Sequence, residues 1–154
     1  MKIELYFVGK TSEKFIEEGM MIYLKRLVHY LPVAVKIIAS SATGSKESVI
    51  KKESEALLSK ITNRDFVILL DEHGEEFSSV QFAGYLQKQM VGGTTNMIFI
   101  VGGAFGVSET VVKRANLVLS FSKFTLTHQM IRVFLVEQIY RAMTITRNEQ
   151  YHHA

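Results

Sequence analysis

The chain has 154 residues, 47% of them apolar and 21% charged, with a net charge of +3 and no cysteine. That length suits a single domain, here residues 1–154, able to bury roughly two-thirds of its unfolded surface. The composition excludes a disordered chain, disulfides and thiolate-held metals. Glu4 interrupts the first apolar run, unlike a signal peptide, and no stretch reaches the roughly 18 apolar residues of a membrane span. A cytoplasmic protein with no membrane partner is expected.

Residues 2–8 read as a strand, and Thr11-Ser12 as the start of a helix that presents Phe15, Ile16, Met20, Tyr23, Leu24 and Leu27 at intervals of three and four. Pro32, the only proline, precedes a second strand at 33–39. The polar, glycine-bearing segment SSATGSKES, residues 40–48, reads as a mobile connection. A helix over 45–61 carries Glu47, Lys51, Lys52 and Glu55 as surface pairs. DFVILL at 65–70 is continuously apolar and needs cover on both faces. DEHGEE at 71–76 reads as a surface loop, its single histidine too little to select a metal. A helix over 78–90 ends at Gly92-Gly93, and 97–101 is a further buried strand. Strands alternating with helices at this spacing give an α/β fold with a mostly parallel sheet flanked by helices.

Two loops then leave neighbouring strands at their carboxyl ends, where open α/β sheets bind ligands. The first, VGGAFG at 101–106, is not a dinucleotide fingerprint, because Val101 stands at its first glycine and no acidic residue follows about 20 positions on; it is not a phosphate-binding loop either, because Gly-Lys-Ser/Thr is missing. It reads as a tight turn into a helix capped by Ser108, whose glycines admit either a ligand or another backbone. The second, residues 120–128 after a strand at 116–119, is rich in hydroxyls and offers backbone groups that suit an uncharged adenine edge. The helix over 128–143 is apolar on most faces and reads as buried, with a second subunit as further cover. Within it Glu137 and Arg141 have the acid-first spacing of an ion pair, and Arg132 has an apolar neighbour on either side.

Charge is unevenly spread. Residues 1–110 hold 12 Lys/Arg against 13 Asp/Glu, whereas residues 111–154 hold 6 against 2 and three of the five histidines. A basic end with Arg147, Tyr151, His152 and His153 suits an anionic partner, and these types stack on unpaired RNA bases. Two histidines at a terminus also occur with no role at all.

These motifs together resemble the RlmH family of SPOUT-class methyltransferases, which methylate N3 of a pseudouridine in 23S ribosomal RNA. The resemblance spans the chain: KIELYFVGK at the start, Leu70-Asp71 with Gly74, IVGG-x-x-G at 100–106, Ser-x-x-Thr-Leu-x-His at 122–128, Arg132-Val133, EQIYRA at 137–142, and Ile-Thr, Asn148 and Tyr151-His152 at the end. It implies a C-terminal trefoil knot, a homodimer and ribosomal RNA of the large subunit or assembled ribosome as partner. It also implies S-adenosyl-L-methionine as methyl donor, held by Leu70, Gly103, Ser122, Lys123, Phe124, Thr125, Leu126 and Thr127. The chain departs from the family at Ala104-Phe105, where Pro-Glu is frequent, and at Thr127 and Gln129, where prolines are frequent; no glycine or hydroxyl of the loops is lost.

Carbon-5 methylation of a pyrimidine generally uses a cysteine, so its absence points to transfer to nitrogen or oxygen. Transfer to N3 requires the imide proton to leave, helped by positioning and by a base. Catalysis is assigned to Glu137, Arg141, Tyr151 and His152, with Glu137 or His152 as proton acceptor, acting in the same chain or from a partner subunit. RNA contacts are assigned to His128, Arg132 and Arg147. Sulfonium chemistry needs no metal, and none is expected. The alternatives are another SPOUT reaction, on a ribose 2′-hydroxyl or on transfer RNA, and a non-catalytic ribosome-associated factor.

Overall fold

A computed structural model describes residues 1–41 and 43–153. Ala42, within the segment expected to be a mobile connection, lies outside the described residues, as does Ala154. Five strands form one sheet: β1 (Lys2–Val8), β2 (Val33–Ile38), β3 (Phe66–Glu76), β4 (Asn96–Val101) and β5 (Leu117–Ser120). Their order is β2-β1-β4-β3-β5 and every pairing is parallel. Between them run α1 (Lys14–Leu27), α2 (Lys46–Leu58), α3 (Ser79–Val91), α4 (Glu109–Arg114) and, last, α5 (Met130–Thr146).

Alternation along the strands fills two cores. Ile3, Leu5 and Phe7 of β1 with Met97, Phe99 and Val101 of β4 face α1, α3 and α5, while Tyr6, Val8, Ile98 and Ile100 face α2 and α4. The period of two in side-chain direction makes this division automatic once both faces are covered. α3 starts on a capping box, with Ser78 Oγ accepting from the Gln81 N–H and Gln81 Oε1 accepting from the Ser78 N–H.

The helix expected from Thr11-Ser12 begins at Lys14 instead, with no side-chain cap. Thr11 Oγ1 accepts from Arg132 Nη1 at 3.0 Å, and the Ser12 N–H donates to Gln129 Oε1 at 3.0 Å, so both residues serve α5 and its approach. Phe15, expected on the apolar face of α1, is 62% exposed. Ser108 precedes α4 without capping it through its side chain. Glu47, Lys51, Lys52 and Glu55 are exposed on α2 but make no ion pair within 4.0 Å among the described residues.

The largest departure concerns residues 71–76. They continue β3 past a bulge and pair again with β5, Glu75 with Leu119 and Glu76 with Ser120. Gly74 lets this happen: a Cβ there would stand 2.6 Å from Val118 O and 2.7 Å from Leu119 C, backbone atoms that cannot yield. β3 therefore escorts β5 to its end. From that edge, residues 121–129 cross the carboxyl ends of the strands to deliver α5 beside β1, where Arg132 meets Val8 and Gly9.

Candidate active site

The strand ends and the two loops enclose a cavity of about 720 Å³. One wall is the end of β3, Leu69 to His73; the second is the glycine loop, Val101 to Val107; the third is Leu119 to Ser122. Phe124, Thr125, Leu126, Thr127, His128 and Ile131 close it, and Lys46 stands at its edge. The size is that of a small-molecule site.

The hydroxyls of the second loop hold that loop in shape. Ser120 Oγ donates to Ser122 O at 2.9 Å, Ser122 Oγ accepts the Phe124 N–H at 3.0 Å, and Thr127 Oγ1 accepts the Met130 N–H at 3.1 Å. Thr125 Oγ1 reaches across to Glu72 Oε2 at 2.5 Å, joining this loop to the continuation of β3. The glycine loop closes on itself through the Gly106 N–H to Gly103 O at 3.0 Å. Behind it stands α2: a Cβ on Gly103 would stand 2.5 Å from Glu53 Oε2, so a side chain there would require the Glu53 carboxylate to move.

Arg132 was assigned to RNA and is not available to it. Its side chain is 0% exposed. Nη2 donates to Val8 O at 2.7 Å, Nη1 to Gly9 O at 3.1 Å and to Thr11 Oγ1, and Nε to His128 O at 3.0 Å; the guanidinium also lies 5.0 Å from the Phe7 ring centroid. Burial lowers its pKa to about 10. The residue anchors the start of α5 to the carboxyl end of β1. Gln129 completes the clamp, donating from Nε2 to Lys10 O at 3.1 Å while accepting from Ser12.

His128 lines the cavity. Burial pulls its pKa below the usual 6.5, the Arg132 charge pulls it further, and Glu53 opposes both. The neutral ring is thus favoured at pH 7.

The four residues assigned to catalysis meet, but away from the cavity. Glu137 Oε1 accepts from Arg141 Nε at 3.0 Å, Arg141 Nη2 at 2.5 Å and Tyr151 Oη at 3.0 Å; its Oε2 accepts from Gln138 at 2.8 Å. Arg141 also lies 4.7 Å from the Tyr151 ring centroid and 3.4 Å from His152 Nδ1. Arginine only donates, so Nδ1 is the accepting nitrogen of that ring. Asn148, with φ 55°, turns the tail back so that Tyr151 reaches α5 and packs edge-on against Tyr140 at 4.8 Å. Burial first, then Tyr23 and Glu137, raises the pKa of Tyr151 well above that of a free tyrosine. Arg147, assigned to RNA, stacks 4.4 Å over Tyr30 in the same neighbourhood.

The family model described as predicted SPOUT methyltransferase matches residues 1–152. The chain belongs to the SPOUT methyltransferase family. Relatives covering 99% of the chain include proteins from Cytophaga hutchinsonii, 45% identical over 100% of that protein, Christiangramia forsetii, 46% over 99%, and Trichlorobacter lovleyi, 40% over 100%; each is called ribosomal RNA large subunit methyltransferase H.

A SPOUT methyltransferase implies S-adenosylmethionine as the methyl donor, and the residues present suit it. The cavity combines a glycine-rich wall that brings main chain to its surface with a loop whose hydroxyls are engaged in holding the loop itself, leaving apolar surface and main chain for an adenosyl group. Of the residues assigned to the donor, Leu70, Gly103, Ser122, Phe124, Thr125, Leu126 and Thr127 line the cavity, and Lys123 does not. Phe124 is 83% exposed, at the mouth. Sequence reasoning passed over Lys46 and Glu53, and took Asp71 and Glu72 only as part of a surface loop. Lys46 is an unremarkable charge in a polar segment. Glu53 carried a signal, since it shares the four-residue spacing of Val49 and Leu57, the buried stripe of α2.

Proposed function

We propose that this SPOUT methyltransferase transfers a methyl group from S-adenosylmethionine to N3 of a pseudouridine in large-subunit (23S) ribosomal RNA, on the assembled ribosome and in the cytoplasm. The observation that carries the reading is correspondence over nearly the whole chain with proteins called ribosomal RNA large subunit methyltransferase H. The cavity at the carboxyl ends of β3, β4 and β5 supports it.

When bound, the donor supplies an electrophilic methyl group on a sulfonium. The protein's contribution is to orient the two reactants and to manage the N3 proton. Leu70, Gly103, Ser122 and the loop from Phe124 to Thr127 hold the donor; Lys123, assigned with them, lies outside the cavity lining. Glu137, Arg141, Tyr151 and His152 form one hydrogen-bonded group on α5 and the tail, outside the cavity of their own chain. They act at the cavity of a second copy in a homodimer, where His152 or Glu137 takes the proton. Exposed Phe15, Ile22 and Phe134 on α1 and α5 are apolar surface that a second copy would cover. His128, at the cavity, and Arg147 face RNA. A C-terminal trefoil knot accords with the course of residues 121–129 across the sheet edge.

The test uses ribosomes from a strain lacking the gene, incubated with the purified protein and methyl-labelled S-adenosylmethionine. Label at N3 of one pseudouridine of 23S RNA is expected, from a protein that is dimeric in solution. Label in ribose or in transfer RNA would assign a different SPOUT reaction, and no donor binding at millimolar concentration would leave a non-catalytic ribosome-binding factor.

A further inference from the structure

The glycine loop after β4 rests on a carboxylate that the fold uses only in part. Glu53 on α2 is 5% exposed. Its Oε1 accepts the Ser41 N–H at 3.0 Å, and its Oε2 has no hydrogen-bond partner among the described residues. That oxygen lies where a side chain on Gly103 would begin, directly behind the loop backbone, while the same loop walls the cavity. The next residue, Ser54, accepts the Ser108 N–H on its Oγ at 2.9 Å and fixes the far end of the loop to the same helix. α2 therefore pins the far end of the loop and sets a buried carboxylate directly behind its Gly103 end.

An unpaired buried carboxylate is costly, and a nearby cation offsets that cost. Buried Arg132 does not serve: its donors go to three carbonyls and to Thr11. The occupant of the cavity changes charge during the reaction. The donor is a sulfonium cation, and the product left after the methyl leaves is a neutral thioether. Their amino-acid ends carry the same charges, so only the sulfur differs.

We propose that Glu53 is a specificity-determining residue that favours the cationic methyl donor over its neutral product, by charge attraction across the Gly103 backbone. This rests on the donor assignment above. A unit charge at about 8 Å in a protein interior of effective dielectric about 20 changes affinity by on the order of tenfold or more.

The experiment titrates S-adenosylmethionine and S-adenosylhomocysteine into wild type, Glu53→Gln and Glu53→Asp by calorimetry. Glutamine keeps the volume and the bond from Ser41 but removes the charge. The ratio of the donor's Kd to the product's Kd should rise about tenfold in Glu53→Gln, with product affinity within about threefold of wild type, and should stay within about threefold in Glu53→Asp. An unchanged ratio in Glu53→Gln, or parallel loss of both ligands, would overturn the proposal in favour of a purely structural residue. If Glu53→Gln does not fold, Glu53→Ala decides by the same ratio: a rise of about tenfold supports the proposal and an unchanged ratio overturns it. Wild type binding neither ligand would instead overturn the donor assignment, and this inference with it.

Discussion

Replacing Arg132 with methionine separates an anchor from an RNA contact. The guanidinium gives four hydrogen bonds, the shortest 2.7 Å to Val8 O. At about 1.5 kcal/mol for each bond from a charged donor, their loss removes roughly 6 kcal/mol. Against this, burial has lowered the arginine pKa from 12.5 to about 10, a penalty of roughly 3 kcal/mol that methionine relieves. The net loss is about 3 kcal/mol. With a urea dependence of about 2 kcal/mol per molar, the unfolding midpoint should fall by about 1.5 M, and the melting temperature by roughly 6–12 °C. Lysine should rescue only part of this, because a single ammonium cannot span carbonyls on β1 and on His128. Urea unfolding and ribosome binding of the folded variant decide the matter. A variant with the wild-type midpoint but weakened ribosome binding would refute the burial argument and return Arg132 to the RNA.

Gly74→Ala drives a methyl group into the backbone of Val118 and Leu119. It should lower stability by about 1–3 kcal/mol and weaken donor binding with it, since β5 leads into the second loop; a melting temperature within about 2 °C of wild type would count against the close approach. Glu4 supplies a pH dependence. Burial alone would raise its pKa, but hydrogen bonds from Lys2 and Lys36, then from Asn96, outweigh that and hold it at about 2, below the ordinary 4.5. A depressed carboxylate stabilises the fold above its unfolded pKa, and that contribution is lost as pH falls through the folded one. Glu4→Gln should therefore cost about 3 kcal/mol at pH 7, shrinking to nearly nothing by about pH 2 in urea titrations across that range; a constant difference would contradict it.

The strands and most helices were legible because continuous apolar runs and three-four spacing are local patterns, and the sheet simply required them. The two ligand loops were legible for the same reason, as polar or glycine-rich breaks after buried strands. What stayed hidden was decided at long range. DEHGEE looks like a loop because its side chains are polar, yet its backbone pairs with β5 through the space that Gly74 leaves. Thr11-Ser12 looks like a helix cap, yet both groups are claimed by residues of the α5 approach. Arg132 did carry a warning, flanked by Ile131 and Val133 on a helix apolar nearly all round, but three of its four acceptors lie more than a hundred positions away. The Glu137–Arg141 pair was visible in its spacing; the fold-back of Tyr151 and His152 onto it depends on the turn at Asn148.

The clamp between Arg132 and β1 also bears on how the chain is made. Arg132 and Val8 stand 124 positions apart, so the first strand emerges during synthesis long before its anchor exists. Until β5 is added, one side of β3 is an unpaired strand edge, and such edges invite wrong partners. Contacts of this sequence separation form slowly, after local structure. A nascent chain that has completed four strands therefore has two cavity walls and no third, and on the proposed donor site should bind no donor. Methyl-transfer competence should arrive only once α5 has crossed the sheet, so translation products that stop before it are expected to be inert rather than partly active.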